Sequence, residues 1–425
     1  MCAPDELDPS AHGRASARDG IGERFLVYAP QFGLSNQVVA LRNAVVWALL
    51  LNRTLVLPHL LGHGTAATMA PHGAAFDAPR AAAAIADALR VEEMPAFLAR
   101  GLEPRGVLVL DINIRMRVAG DDAYFEALGV RWHNRTAPLR VPMADFTPAS
   151  IVAAFGGCTA AHHRVLAFRS LFAALDAKGP KDYPPPGFGW LNRVAMPALL
   201  KPAPALSALV DRIQARLVAG CAASGTLRGA HATSRPACAS ACVHVRQGDF
   251  SEECAKYDAE LRSKGARPWV LSHARRGYSC IQSESTLVTN LRSLQGRLPH
   301  GKQSPIYASI EDSSFLQRPA LRPFNLSSLA AHADVIRAAA HPGTGGVHLP
   351  DGIGSVLLDQ LVCARASHLL LNAFSTFSQL VMGRMGMARP DVVGWARDLN
   401  DEQQRRLGVS VGFWRTDYWK RQGYV

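Results

Sequence analysis

The stretch Cys242-Val243-His244-Val245-Arg246-Gln247-Gly248-Asp249-Phe250 decides the fold, because it has the pattern of a β-strand that stops at a turn. Its first half alternates apolar and polar residues, which is typical of a strand with one solvated face, and Gly248-Asp249 is a turn signal. His244 and Arg246 then share one face near the carboxyl end of the strand, where open α/β sheets bind ligands. An arginine held by a strand suits the bidentate grip of phosphate oxygens, although a buried strand with a salt-bridged arginine has the same spacing.

Two other parts of the chain combine a strand, a loop and the start of a helix. Residues 24–58 predict a strand, a loop with Pro and Gly, a helix over 38–51 capped by Ser35 or Asn36, and a second strand. Residues 368–371 predict a buried strand, which is followed by a loop of small hydroxyl residues and another helix. Each combination places backbone N–H groups at the carboxyl edge of a sheet, which is a potential anion site.

The alternation of strands and helices in two halves predicts an α/β fold with two Rossmann-like domains that face a cleft. A stretch rich in Pro and Gly, residues 179–204, joins the halves. We therefore expect four segments in chain order, namely a disordered segment at 1–21, an N-terminal Rossmann-like domain at 22–204, a C-terminal one at 205–399 and a helical tail at 400–425 that packs back on the body.

Three segments between the predicted strands have less regular patterns. Residues 78–102 predict a helix after a loop, and residues 152–176 predict helix toward their end. Residues 251–280 are polar and aromatic, and we interpret them as a long loop. Because long loops in compact domains are usually functional, this one is a candidate wall of an acceptor cleft.

The composition indicates a two-domain protein with an anionic partner. The chain has 425 residues, of which 48% are hydrophobic, and a formal net charge of +12. Its basic residues are scattered rather than interleaved with aromatic residues, which argues against a nucleic-acid surface. The best apolar run, residues 44–51, is too short to span a bilayer. No signal peptide is visible, so we expect either a cytoplasmic protein or a chain that lacks its true start.

The eight cysteines leave three possibilities open. Five of them lie between residues 221 and 280, a density that allows one or two disulfides in an oxidising lumen. Reduced thiols in the core are the second possibility. Zinc is the third and the weakest, because Cys238 and Cys242 are separated by three residues rather than two.

Three stretches together resemble the motifs of the GDP-fucose protein O-fucosyltransferase family. The first is residues 30–37 with residues 51–58, similar to the "NQ" loop and "LNRTLVLP" of the family. The second is residues 244–250, similar to its "HxRxGDF" strand. The third is residues 359–363 with residues 372–378, like its terminal Asp, Cys and "STFS" elements. They occur in the order of the family and extend over residues 24–385.

This resemblance implies a GT-B-type fold and an enzyme that transfers fucose from GDP-β-L-fucose to a Ser or Thr hydroxyl of a protein, with inversion. It also implies catalysis without a metal or another cofactor, in the lumen of the endoplasmic reticulum or Golgi. Arg246 would be the catalytic residue, which stabilises charge on the departing GDP. The implied GDP-fucose contacts are Gly33, Leu34, Ser35, Asn36, His244, Arg246, Asp359, Ser375, Thr376 and Phe377.

The sequence departs from the family in its first loop, since residues 29–37 contain no carboxylate that serves as a general base. Asp249 is a weak substitute, since a turn position explains it as well. The alternatives are an α1,2- or α1,6-type fucosyltransferase that acts on a glycan, and a non-catalytic protein that binds a nucleotide sugar or a glycan. A NAD-dependent dehydrogenase is disfavoured, because Gly352-Ile353-Gly354 lacks the rest of the dinucleotide fingerprint.

Overall fold

The structure is a computed structural model of the 425-residue chain, and its contacts divide the chain into two compact units. Unit 1 comprises Met1–Pro204 and His348–Gly354, and unit 2 comprises Ala205–Val347 and Ser355–Val425. The structure describes residues 23–62, 65–101, 107–111, 121–129, 139–141, 143, 145–156, 163–172, 175, 180–223, 240–246, 250–263, 266–275, 278, 280, 283–298, 300–340, 349, 353–388 and 410–413. The predicted disordered segment 1–21 lies outside these residues.

Unit 1 contains a parallel sheet of six described strands in the order β5-β2-β1-β8-β6-β7. A small antiparallel hairpin, β3-β4, stands apart from it. The strands are β1 Phe25–Tyr28, β2 Thr54–Leu57, β3 Leu60–Gly62, β4 Thr65–Ala70, β5 Val91–Glu93, β6 Val107–Asp111, β7 Leu139–Arg140 and β8 Val165–Phe168.

Helices of unit 1 cover the apolar side chains of its sheet. Phe25 packs against Phe97 on one face, while Trp47 packs against Phe155 and Phe168 within the same unit. All five side chains are buried, as expected for a parallel sheet. The helices are α1 Leu34–Leu50, α2 His72–Ala75, α3 Ala78–Ile85, α4 Met94–Ala99, α5 Asp121–Ala127, α6 Pro148–Phe155, α7 Phe188–Trp190 and α8 Met196–Leu199, with a π-helical turn at Leu191–Ala195 and a 3₁₀ turn at Pro180–Asp182.

In the turn between α1 and β2, Asn52 and Arg53 each have a structural role. Asn52 has a φ of 48°, a left-handed conformation that Asn tolerates and that ends the helix. The buried Arg53 guanidinium then donates to the carbonyl oxygens of Phe25, His163 and Arg164, at 3.2, 3.0 and 3.3 Å. These carbonyls lie at the amino ends of β1 and β8, so Arg53 joins two strands at the sheet edge opposite to their carboxyl ends.

Unit 2 contains a second parallel sheet, with five described strands in the order β11-β10-β9-β12-β13. The strands are β9 Ala241–Val245, β10 Ile306–Ile310, β11 Leu326–Ser327, β12 His368–Leu371 and β13 Ser410–Phe413. The helices are α9 Pro204–Ala223, α10 Phe250–Arg262, α11 Pro268–Arg275, α12 Glu284–Gln295, α13 Ala333–Ala339, α14 Ile353–Arg365 and α15 Thr376–Ala388, with 3₁₀ turns at Gly301–Gln303, Ser313–Gln317 and Leu329–His332.

The predicted α/β fold is confirmed, and five segments differ from the sequence-based expectation. Helix α1 begins at Leu34 rather than at residue 38, and its N-cap is Gly33, so neither Ser35 nor Asn36 caps it. Within 152–176 the structure has the central strand β8, whose four apolar residues are buried on both faces and carry no periodicity. The helix expected over 78–102 is interrupted by β5. Residues 251–280 contain two helices instead of a loop, and residues 410–413 of the expected helical tail form β13. Among the described helices, none combines the length and apolar character needed to cross a membrane.

Candidate functional site

The carboxyl ends of β9, β10 and β12 lie at one edge of the unit 2 sheet, because all three strands are parallel. His244 lies on β9 and Arg246 follows it directly. Val243 and Val245, which alternate with them, belong to the hydrophobic core on the other face. The alternation read from the sequence therefore places both polar side chains on one face of the sheet.

His244 is buried beside the first turn of α15. Its ring stacks on Phe377 with ring centroids 4.3 Å apart, and its Nδ1 lies 2.8 Å from Ser378 Oγ. The same hydroxyl accepts a hydrogen bond from the Asn372 backbone N–H at 3.0 Å. Burial, and secondarily the charge of Arg246, lowers the pKa of His244 to about 3. The ring is therefore neutral near pH 7, and positive charge at this edge comes from Arg246.

Arg246 forms an ion pair with Glu311, the first residue after β10. Val245 of β9 is paired in register with Ile310 of β10, so the residues that follow these two strands are direct neighbours. The Arg246 side chain is 24% exposed and that of Glu311 is 52% exposed. Sequence reasoning gave Glu311 no role, because its proximity to Arg246 follows only from the pairing of β9 with β10.

The loop between β12 and α15 carries the predicted hydroxyl residues. Ser375 is buried at the start of α15, and Thr376 and Phe377 are half-buried in the first turn of the helix. Asn372 shapes the loop, since its side-chain oxygen accepts from the Phe374 N–H at 2.9 Å. The first amide groups of a 13-residue helix thus lie next to β9, in an arrangement that suits an anion.

Helices α10 and α11 brace this loop from outside. The Cys254–Cys280 disulfide ties the start of α10 to the end of the segment. Phe374 stacks on Tyr257 at 5.5 Å, and His273 Nε2 lies 3.1 Å from the Ala373 carbonyl oxygen. The predicted loop wall is therefore a disulfide-closed helical brace, and its contacts are with the loop before α15.

The cysteine pairing resolves the three possibilities for four of the eight cysteines. Cys242 of β9 is bonded to Cys363 of α14, and Cys254 is bonded to Cys280. A disulfide-bonded Cys242 is not available as a zinc ligand with Cys238. The disulfide interpretation holds for these residues, with one partner, Cys363, outside the cluster in the sequence.

Asp359 lies on α14, one turn before Cys363, and faces β10. Its Oδ1 accepts a hydrogen bond from the Tyr307 hydroxyl, and its Oδ2 accepts from Ser309 Oγ at 3.1 Å. Burial raises the pKa of this carboxyl to about 7, although the two hydrogen bonds oppose the rise. These partners are part of the interface between helix and sheet, and the predicted contact of Asp359 with a nucleoside stays a prediction.

We expect the ionisation of Asp359 to make the folded protein less stable as the pH rises. Its folded pKa of about 7 lies above the ordinary carboxyl value, so ionisation costs folding free energy as the pH rises from 4 through 7. Asp359→Asn removes that charge at nearly constant shape. Compared with the unsubstituted chain at the same pH, its gain in Tm should be about 3–6 °C larger at pH 8 than at pH 5, measured by thermal denaturation.

The Tm values of the variant and the unsubstituted chain have to be compared at the same pH, because buried histidines make both chains less stable as the pH falls. Burial lowers the pKa of His72 to about 4 and that of His244 to about 3, so acidification through the unfolded value near 6.5 destabilises both chains equally. Asp334→Asn is the matched control, because its bond to Arg216 lowers the pKa of Asp334. A Tm difference for Asp359→Asn that stays constant from pH 5 to 8 would contradict the raised pKa.

The predicted residues of the first loop lie together in unit 1, at the carboxyl end of β1. Gly33 precedes α1, and its carbonyl oxygen accepts from the Asn36 and Gln37 N–H groups. Leu34 and Ser35 are buried. The Asn36 Oδ1 atom is buried with no hydrogen-bond partner among the described residues, which is unusual for a polar atom.

Gln37, which sequence reasoning left without a role, fixes the shape of this loop. Its side-chain amide donates to the carbonyl oxygens of Phe32 and Leu61, each at 2.9 Å, and its oxygen accepts from the Leu61 N–H at 3.0 Å. Phe32 has a φ of 60°, so one of these bonds supports a left-handed residue. Four of the predicted contact residues thus lie in unit 1 and six lie in unit 2.

Comparisons with known proteins agree with this architecture. No family model matches the chain. The structure of POFUT1 in complex with GDP is similar to this chain with a TM-score of 0.57 and 15% identity, over 92% of this chain and 99% of POFUT1. The structure of POFUT1 in complex with GDP-fucose gives a TM-score of 0.56 and 15% identity, over 94% of this chain and 99% of that one. At this identity the comparison shows the fold, which is the GT-B-type fold that the motifs implied.

A short sequence match points in the same direction. O-fucosyltransferase 30 of Arabidopsis thaliana is 42% identical over 55 residues. The match spans 13% of this chain and 11% of that protein. The resemblance to GDP-fucose protein O-fucosyltransferases, predicted from three motifs, is confirmed by the two comparisons together.

Proposed function

We propose that the chain is an inverting glycosyltransferase that moves fucose from GDP-β-L-fucose to a Ser or Thr hydroxyl of a protein. One observation supports it most, namely that Arg246 directly follows β9, two residues after His244, whose ring contacts the first turn of α15. A guanidinium, helix amides and the hydroxyls of Ser375 and Thr376 together suit a diphosphate. In this proposal residues 205–399 bind the nucleotide sugar, and residues 22–204 form the other Rossmann-like domain.

The transfer step requires charge stabilisation at the departing diphosphate. The bond between the fucose anomeric carbon and the β-phosphate oxygen breaks, and its electron pair stays on GDP. The acceptor hydroxyl oxygen bonds to the opposite face of the same carbon, and its proton passes to water or to a base outside residues 29–37, which contain no carboxylate. Arg246 and the first amides of α15 would stabilise the negative charge, and this proposal needs no metal.

Neutral His244 would form a polar but uncharged side of the nucleotide site. Its ring is fixed by Phe377 and Ser378, so it is positioned before any ligand binds. Asp359 would accept from a nucleoside donor, and Asn36 with the Gly33-Leu34-Ser35 backbone would contact the sugar or phosphate. The Oδ1 atom of Asn36, which is buried and has no hydrogen-bond partner in the described part of the chain, supports this last contact, because a sugar hydroxyl would satisfy it.

The acceptor and the location are also part of the proposal. The relatives named above are O-fucosyltransferases or POFUT1, which favours a protein acceptor over the glycan acceptors of α1,2- and α1,6-type enzymes. The disulfides Cys242–Cys363 and Cys254–Cys280 favour an oxidising compartment such as the lumen of the endoplasmic reticulum or Golgi.

Calorimetric titration with GDP, GDP-fucose, GDP-mannose and UDP-glucose tests the proposal. We expect binding of the guanosine nucleotides, with GDP-fucose preferred over GDP-mannose and no binding of UDP-glucose. Arg246→Ala should weaken GDP binding about 30- to 1,000-fold, because it removes a charge-assisted contact to phosphate.

Arg318→Ala is the control for Arg246→Ala, because Arg318 pairs with Glu284 on the surface of the same unit and should not affect affinity. Absence of guanosine nucleotide binding by the folded chain would refute the transferase. GDP-fucose binding without transfer to any protein or glycan acceptor would instead indicate a binding protein.

A further inference from the structure

We propose that Glu311 sets the balance between donor and product at the nucleotide site, by holding Arg246 and by repelling the more negatively charged GDP. The inference rests on the proposed function, since it assumes that a diphosphate binds at Arg246. It assigns a role to a residue that lies outside the motifs shared with the fucosyltransferases, which end at Phe250 and resume at Asp359.

The carboxylate of Glu311 lies where a diphosphate oxygen would have to approach. Arg246 and Glu311 each follow the last residue of a strand, and these strands are paired in register up to Val245 and Ile310. The Glu311 carboxylate accepts a hydrogen bond from Nη1 of Arg246. An anion that binds the guanidinium therefore shares it with this carboxylate or displaces the carboxylate.

The neighbouring carboxylate, Asp312, caps a turn and does not contact Arg246 through any hydrogen bond described for it. Its two oxygens accept hydrogen bonds from the N–H and the hydroxyl of Ser314, at 2.9 and 2.8 Å, at the start of a 3₁₀ turn. Glu311 instead extends to Arg246 and is half exposed, so its side chain is able to move away when a ligand binds. Its effect on a ligand is thus electrostatic, and the sheet does not depend on it.

The charge of the ligand decides how strongly Glu311 opposes binding. The diphosphate of a nucleotide sugar is a diester at both ends and carries two negative charges. GDP ends in a phosphate monoester with a second pKa near 6, so it carries nearly one further negative charge at pH 7.5. A carboxylate within several ångströms of the diphosphate repels GDP more than GDP-fucose, and the difference favours release of the product.

Glu311→Gln tests this inference by calorimetric titration of the full chain with guanosine, GDP-fucose and GDP at pH 7.5. We expect the affinity for guanosine to stay within about twofold, GDP-fucose to bind about 2- to 5-fold more tightly, and GDP to bind about 5- to 20-fold more tightly. Glu284→Gln is the matched control, since Glu284 is an exposed, paired carboxylate of the same unit and should change none of the three affinities.

The outcomes separate the inference from the proposed function. If the unsubstituted chain binds no GDP, the proposed function fails and the inference with it. If it binds GDP but Glu311→Gln binds GDP more weakly or equally, the carboxylate only orients Arg246 and the inference fails alone. Equal tightening of GDP and GDP-fucose also overturns it. In the Arg246→Ala background, Glu311→Gln should no longer tighten GDP binding much more than GDP-fucose binding. A double-mutant cycle measures this change.

Discussion

Arg53→Ala should lower the free energy of unfolding by about 3–5 kcal/mol, because the carbonyl oxygens of Phe25, His163 and Arg164 lose a charged donor inside the protein. Burial lowers the pKa of Arg53 to about 9, so the guanidinium is charged at neutral pH and its hydrogen bonds are charge-assisted. Urea denaturation measures the loss.

The matched control is Arg24→Ala. Arg24 lies close enough for its charge to lower the pKa of Arg53, and its own removal should change stability by less than about 0.5 kcal/mol. Arg53 lies at the amino end of the unit 1 strands, so the fraction of Arg53→Ala that remains folded should bind GDP with unchanged affinity. Equal stability of the two variants would show that Arg53 does not hold these strands together.

Replacing Cys242 and Cys363 together by Ala should cost about 4–5 kcal/mol. The bond joins residues that are 121 positions apart, and a crosslink of that length removes much entropy from the unfolded chain. The same bond fixes α14 on β9, one turn away from Asp359. Denaturation of the oxidised parent and the double variant measures the difference.

The second disulfide supplies an internal comparison. Cys254 and Cys280 are 26 positions apart, so their replacement by Ala should cost about 1 kcal/mol less. A larger loss from the shorter crosslink would contradict the dependence on loop length. The comparison is matched, because all four cysteines are buried and belong to unit 2.

The sequence was most informative where a strand, its turn and the following helix are adjacent in the chain. The β9 strand with His244 and Arg246, and a helix start after each of β1 and β12, were predicted from such local patterns. The first of these helices begins at Leu34 rather than at residue 38, so residues 34–36 of the expected loop are helical. The fold class followed from the alternation of strands and helices. The roles proposed for these residues depend on a ligand, and titration rather than geometry will test them.

The features that were missed depend on contacts between distant parts of the chain. β8 and β13 are four-residue strands whose identity comes from pairing with β1 and β12. The partners of Asp359 lie on β10 and the partner of Arg246 directly follows that strand, and no local pattern indicates these contacts. Similarly, eight cysteines allow many pairings, and only the stacking of α14 on β9 brings Cys363 to Cys242.

The helical brace has a practical consequence for the choice of expression host. Its contacts with Ala373 and Phe374 depend on a segment that Cys254–Cys280 closes, and those residues lead directly into the first turn of α15. Protein made in a reducing cytosol would carry the same sequence and a similar sheet, but its loop before α15 would have lost a covalent support. Affinities for nucleotides should therefore be measured on the protein with its disulfides formed, which secretion or oxidative refolding provides.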